Sequence, residues 1–168
     1  MAYARRYIPN NQKGARMIVT SRKEAVTLIQ ESIDNVLPLE DERLEKVIFA
    51  VNNDLQVRDW VMGMPARFTM EESIEFVKYM AVHTTQQDGV PFVTIYSMFE
   101  FERGNIDAAV NMLDYALKVN SNYSLAKLLE RMYTKLPPET VTTMREQLDD
   151  KVTVDCMSEL PITNREEE

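Results

Sequence analysis

Between residues 21 and 148 apolar side chains recur at i, i+3, i+4 and i+7, and no stretch sustains an alternation of period two. That spacing puts one apolar stripe on each of a series of helices and leaves no half-buried strand to pair, so the chain is confined to helical folds. The punctuation agrees. Ser21-Arg-Lys-Glu24 has the form of a capping box and opens a first helix with Ala25, Leu28, Ile29, Ile33 and Val36 on its apolar face, ended by Pro38. Leu44, Val47, Ile48 and Val51 mark a second helix, which begins with Glu40, Asp41 and Glu42 as the positive end of a helix dipole prefers. Asn52-Asn-Asp54 breaks it, and a third short segment runs from Leu55 through Trp60 to Met62 before Gly63 and Pro65.

A second capping box, Thr69-Met-Glu-Glu72, opens a fourth helix with Ile74, Val77, Met80 and Ala81 inward. Gly89 is expected to close the following loop and Pro91 to sit in the first turn of a fifth helix. That helix, with Phe92, Val93, Ile95, Tyr96, Met98, Phe99 and Phe101, is apolar nearly all round and therefore belongs at the centre. Gly104-Asn105 turns the chain into a sixth helix with Ala109, Met112, Leu113 and Ala116 inward. Asn120-Ser-Asn122 separates it from a seventh with Leu125, Leu128, Leu129 and Met132. Pro137-Pro138 precedes a short last helix bearing Val141, Met144 and Leu148. Short connections favour antiparallel neighbours, so the expected fold is all-α: one compact bundle of about seven or eight helices, flanked by extended termini. Residues 1–20 read as a basic arm, 21–148 as the helical domain and 149–168 as an acidic tail, in which Lys151-Val-Thr-Val-Asp155 alternates too briefly to make a sheet.

The segment Phe101-Glu-Arg-Gly104-Asn-Ile-Asp-Ala-Ala109-Val-Asn-Met-Leu113-Asp-Tyr-Ala116-Leu-Lys-Val119 resembles the turn and second helix of a tetratricopeptide repeat. Gly104 permits the tight turn, Ala109 and Ala116 lie on one face and let a partner helix approach, and Ser97 takes the small-residue position of the preceding helix. Ser121 and Val93 stand where the repeat has proline and a large aromatic, and no second copy follows at a period of about 34 residues. One repeat-like hairpin inside a closed domain is the expectation. Over Leu44 to Leu148, Arg58-Asp59, the Gly104 turn, Asn122-Tyr-Ser-Leu-Ala126 and Leu136-Pro-Pro-Glu139 resemble the helical C-terminal half of an actinobacterial and actinophage domain family of unknown function. That resemblance implies a helical fold and a phage or actinobacterial setting, and it transfers no catalytic motif.

Chemistry has few carriers here. With one His, one Cys and four Gly in 168 residues, most metal sites, thiol mechanisms and glycine-rich phosphate loops are excluded, and neither enzyme activity nor a cofactor is expected. His83 has no recognisable nucleophile or orienting carboxylate in sequence. Cys156 lies beside Asp155 and Glu159, whose charges suppress a thiolate. Glu71, Glu72 and Glu75 lack a histidine at metal-ligand spacing and read as a solvated helix start. Met62, Met64 and Met70, with Trp60, Arg67 and Phe68, read as sealing one end of the core, with an adaptable contact surface as the other reading.

The formal charge of −8 divides unevenly, into +6 over residues 1–23, −5 over 149–168 and −9 between them. Charge asymmetry of this kind points to partners. A non-enzymatic helical protein–protein interaction module is the leading expectation, its partner held by the helical face around Met98, Phe101 and Glu102 or by the arm residues Tyr3, Arg5, Arg6, Tyr7, Lys13 and Arg16. A structural phage or assembly protein, a homo-oligomer joined through oppositely charged arms, is the alternative. A nucleic-acid-binding regulator using the aromatic and cationic arm is the third, disfavoured by the acidic body. No signal-like or membrane-spanning apolar run is present, so the expected setting is the cytoplasm, or a phage particle within the host cytoplasm.

Overall fold

The structure, a computed structural model, describes residues 17–164, and among them are eight α-helices and no strand longer than an isolated bridge. They are α1 (Arg22–Ile33), α2 (Asp41–Asn53), α3 (Leu55–Met62), α4 (Met70–Val82), α5 (Gln86–Glu102), α6 (Ile106–Val119), α7 (Ser124–Lys135) and α8 (Pro138–Asp155), with a 3-10 turn at Met64–Ala66. None of them is long and apolar enough to cross a membrane.

The α5 helix is the hub. Phe92, Ile95, Met98, Phe99 and Phe101 are buried on every side, because α4, α6, α7 and α8 all pack against it. Burying an aromatic or large aliphatic side chain stabilises by about 1.5–3 kcal/mol, so this one helix supplies much of the core. The α5–α6 hairpin is closed by Gly104 at φ +85°, a conformation L-residues avoid. A methyl group there would meet nothing within 4 Å. Gly104→Ala should therefore cost only the left-handed backbone term, about 1–2 kcal/mol, and urea unfolding should show Gly104→Asn to be milder. Ala109 and Ala116 are fully buried, and the Ser97 hydroxyl donates to the Ala109 carbonyl at 2.6 Å. The two small residues thus let α6 lie close on α5.

Several local expectations are corrected. Gly89 and Pro91 lie inside α5, because Thr85 caps the helix two turns earlier, its hydroxyl accepting from the Asp88 amide at 3.2 Å. Gly89 lets the loop after α4 pass closely, since a Cβ there would stand 3.2 Å from the Thr84 methyl. Only half of the Ser21 box forms: its hydroxyl accepts from the Glu24 amide at 3.1 Å, while the Glu24 carboxylate pairs with Lys46. Thr69 and Glu72 form the complete box. Leu128 is exposed rather than inward.

The largest departure is at the C-terminal end. The last helix is not short, and 149–168 is not wholly a tail: α8 runs to Asp155, and Val152 and Cys156 are buried in the core. The inward face is Val141, Arg145, Val152 and Cys156, whereas Met144 and Leu148 are exposed. Beyond it the chain returns to its beginning. The Ile162 amide donates to the Thr20 carbonyl at 2.8 Å, the Lys23 amide to the Ser158 carbonyl at 3.1 Å, and Lys23 Nζ pairs with Glu159 at 3.0 Å. The first and last described stretches of the chain, residues 20–23 and 158–162, therefore lie side by side.

Candidate docking groove

The expected partner face at the α5–α6 turn is interior. Met98 and Phe101 are 1% and 2% exposed, because an all-round apolar helix has no face to spare for a partner. The Glu102 carboxylate is 2% exposed and held by Arg145. Tyr133 stacks on Phe101, with ring centroids 4.0 Å apart, and its hydroxyl lies 2.9 Å from that of Ser97. Burial raises the Tyr133 pKa above its usual value. These contacts hold α5, α6, α7 and α8 together. Tyr3, Arg5, Arg6, Tyr7, Lys13 and Arg16 lie outside the described residues.

The other candidates also resolve into packing. His83 ends α4, with Nδ1 2.8 Å from the Tyr79 carbonyl and its ring stacked on that of Tyr79. Met64 is fully buried, and the Arg67 guanidinium lies 4.8 Å from the centre of the Trp60 ring while pairing with Asp149 of α8. Among the described residues, no three His, Cys, Asp or Glu side chains are grouped so as to hold a metal ion.

Cys156 is buried, its Sγ 3.4 Å from the Gln56 carbonyl, and burial first, then the Asp54 carboxylate, pushes its pKa up to about 12. The expected influence of Asp155 is the weakest contribution. The folded chain keeps this proton from its ordinary pKa near 9 up to about 12, while the unfolded chain releases it. Folding stability from this group is therefore complete below pH 9 and declines as pH rises towards 12. Urea midpoints should fall between pH 8 and 10.5, and Cys156→Ala should lessen the slope. Ellman's reagent at pH 8 should react with native Cys156 roughly 100-fold more slowly than with the urea-unfolded chain.

A cleft of about 670 Å³ opens between the end of α1, the α1–α2 loop and the first half of α4. The end of α1 is set by Asn35, which takes φ +57°. The Val36 amide then bonds the Glu31 carbonyl at 2.8 Å and the Asn35 amide bonds the Ser32 carbonyl at 3.3 Å, the Schellman arrangement with asparagine in place of glycine. This halts the helix before Val36, which is 65% exposed instead of completing the α1 face as its spacing suggests.

Side chains then fix the loop as a wall. The Tyr79 hydroxyl donates to the Leu39 carbonyl at 2.6 Å, and Arg43 donates to the Pro38 carbonyl at 3.3 Å while pairing with Glu31 at 2.6 Å. Burial, and the nearby Glu40, raise the Tyr79 pKa. Ile33, Leu37, Leu39, Phe76 and Tyr79 give the cleft an apolar floor. Its rim carries four exposed carboxylates, Glu40 from the loop and Glu71, Glu72 and Glu75 from α4, and no lysine or arginine lines it. Lys78 stands beside the rim, 3.9 Å from Glu75.

Singly, Glu71, Glu72 and Glu75 are the solvated helix start that the sequence predicts, each of them exposed. All three line one apolar trough, which the loop across from them completes, and Glu72 also accepts from the Thr69 amide at 3.1 Å. The volume falls within the roughly 300–1,000 Å³ of clefts that hold compact ligands. With the charged groups on the rim and all of one sign, the cleft is suited to apolar side chains carried on a cationic segment. Comparison with known proteins adds nothing to this geometry, since no family model, curated protein or solved structure matches the chain.

Proposed function

We propose that the chain is a non-catalytic helical interaction module, and that its acidic cleft docks a cationic, aromatic-bearing segment of a protein partner. The observation that carries this reading is the pairing of an apolar floor, Leu37, Leu39 and Phe76, with a rim of four glutamates, Glu40 on the loop wall fixed by Tyr79 and Arg43 and the other three on α4. Peptide grooves draw affinity from apolar anchors, while rim charges set on-rate and partner choice. A segment alternating arginine with tyrosine meets both demands, and an acidic segment or a nucleic-acid backbone is repelled by the same rim.

The test is fluorescence anisotropy with a labelled octapeptide of alternating arginine and tyrosine. Binding to the full chain is expected to weaken at least about tenfold in Glu71→Lys/Glu75→Lys, roughly the loss of two charge contacts of about 0.7 kcal/mol each. It should also weaken as salt rises from 0.05 to 0.3 M, because these carboxylates are exposed and screened. An octapeptide of glutamate and tyrosine should not bind. Equal affinity of wild type and the double variant would remove the cleft from the function.

A further inference from the structure

We propose that the cleft's resident ligand is the chain's own basic segment, residues 1–16, folded back in cis so that an external partner must displace it. This rests on the reading of the cleft as a docking site for cationic segments and adds the identity of one occupant. Residues 1–16 carry Arg5, Arg6, Lys13 and Arg16 and no acid, and Tyr3, Tyr7 and Ile8 are interleaved with the first two cations. That composition is complementary on both counts: cations for Glu40, Glu71, Glu72 and Glu75, and rings for the floor.

The exit point makes the docking reachable. Thr20 is pinned to Ile162 beside the start of α1, and the cleft lies at the other end of that helix, 12 residues or about 18 Å away. The chain from Thr20 back to Tyr7 extends to about 43 Å, more than twice that distance. A tethered segment of this length presents itself at an effective concentration on the order of millimolar, which a second copy in dilute solution does not reach. Exchange between copies, which could close as a swapped dimer, would have to outcompete that tether and would depend on protein concentration. Glu159, the described acid nearest the exit, competes poorly because it is already paired with Lys23.

Occupancy in cis reduces the apparent affinity for an external segment by the open fraction. The experiment uses the full chain with a nitroxide on Ala4→Cys; buried Cys156 is spared by the reagent. In dilute solution, broadening of the Leu37, Phe76 and Tyr79 amides, independent of protein concentration and relieved by 0.5 M salt, is expected. Broadening confined to residues 158–164, or appearing only between labelled and unlabelled copies, would overturn docking in cis.

A second arm separates this inference from the cleft reading. A synthetic peptide of residues 1–16 should bind full-length Arg5→Glu/Arg6→Glu about tenfold more tightly than wild type. Equal affinity for the two, with loss in Glu71→Lys/Glu75→Lys, would leave the cleft reading intact and sink the cis occupant. No binding of either cationic peptide to any form would sink both.

Discussion

Arg145→Ala is expected to destabilise the fold by about 3–5 kcal/mol, the loss that follows when one member of a buried ion pair is removed. The side chains of Arg145 and Glu102 are 6% and 2% exposed. Arg145 Nε lies 3.0 and 3.3 Å from the two carboxylate oxygens, Nη2 lies 2.8 Å from Oε1, and the Thr142 hydroxyl donates to the same oxygen at 2.8 Å. Glu102 is also the last residue of α5, where the helix dipole disfavours a negative charge. Without the guanidinium, a carboxylate remains in apolar surroundings at the wrong end of a helix. Against a total stability of about 5–15 kcal/mol, that loss should be plain as a lower urea midpoint. Glu102→Leu/Arg145→Met removes both charges and should recover most of it. Should Arg145→Ala leave the midpoint unchanged, the pair does not join α5 to α8.

Phe92→Ala is expected to cost a similar amount, about 3–5 kcal/mol, with the melting temperature roughly 10 °C lower. Phe92 is fully buried and meets Phe76 edge to face, with ring centroids 6.4 Å apart. Phe76 is part of the cleft floor, so the vacancy would lie directly beneath the docking surface. Phe92→Leu keeps most of the volume and should lose only about 1–1.5 kcal/mol. A thermal melt gives the first quantity. Peptide anisotropy at a temperature where both variants are folded gives the second, with weaker docking expected for alanine than for leucine.

Much of the helical order was legible because it is local. Thr69 and Glu72 are three residues apart and form their box as written, and Gly104 marks the hairpin turn. The end of α8 was hidden by two features. Arg145 interrupts the inward face of Val141, Val152 and Cys156, and its partner Glu102 is 43 residues away, so no local window shows that this arginine belongs inside. Met144 and Leu148 look like core and are exposed, since α8 packs through a different side. The same distance effect concealed the cleft. Asn35 was the available signal for the end of α1, because asparagine tolerates a left-handed backbone, and taking it so would have released Val36 and Leu37 from the helix face. That Leu39 then reaches Tyr79, 40 residues on, is a tertiary fact. Met98 and Phe101 belong to a helix that is apolar nearly all round, and their burial, not a partner face, follows from that pattern.

Charge was the other partly legible feature. The sequence showed opposite signs at its two ends and suggested contacts between copies. The pairing of Thr20 with Ile162 brings the first and last described stretches together in one molecule, a proximity that no charge count contains.

The most direct measurement is the amide chemical-shift map of the full chain titrated with the arginine–tyrosine octapeptide. Docking in the cleft predicts the largest perturbations at Ile33–Leu39 and Glu71–Tyr79, with little change along α6 and α7. Perturbations centred on α6 and α7, or none up to millimolar peptide, would contradict it.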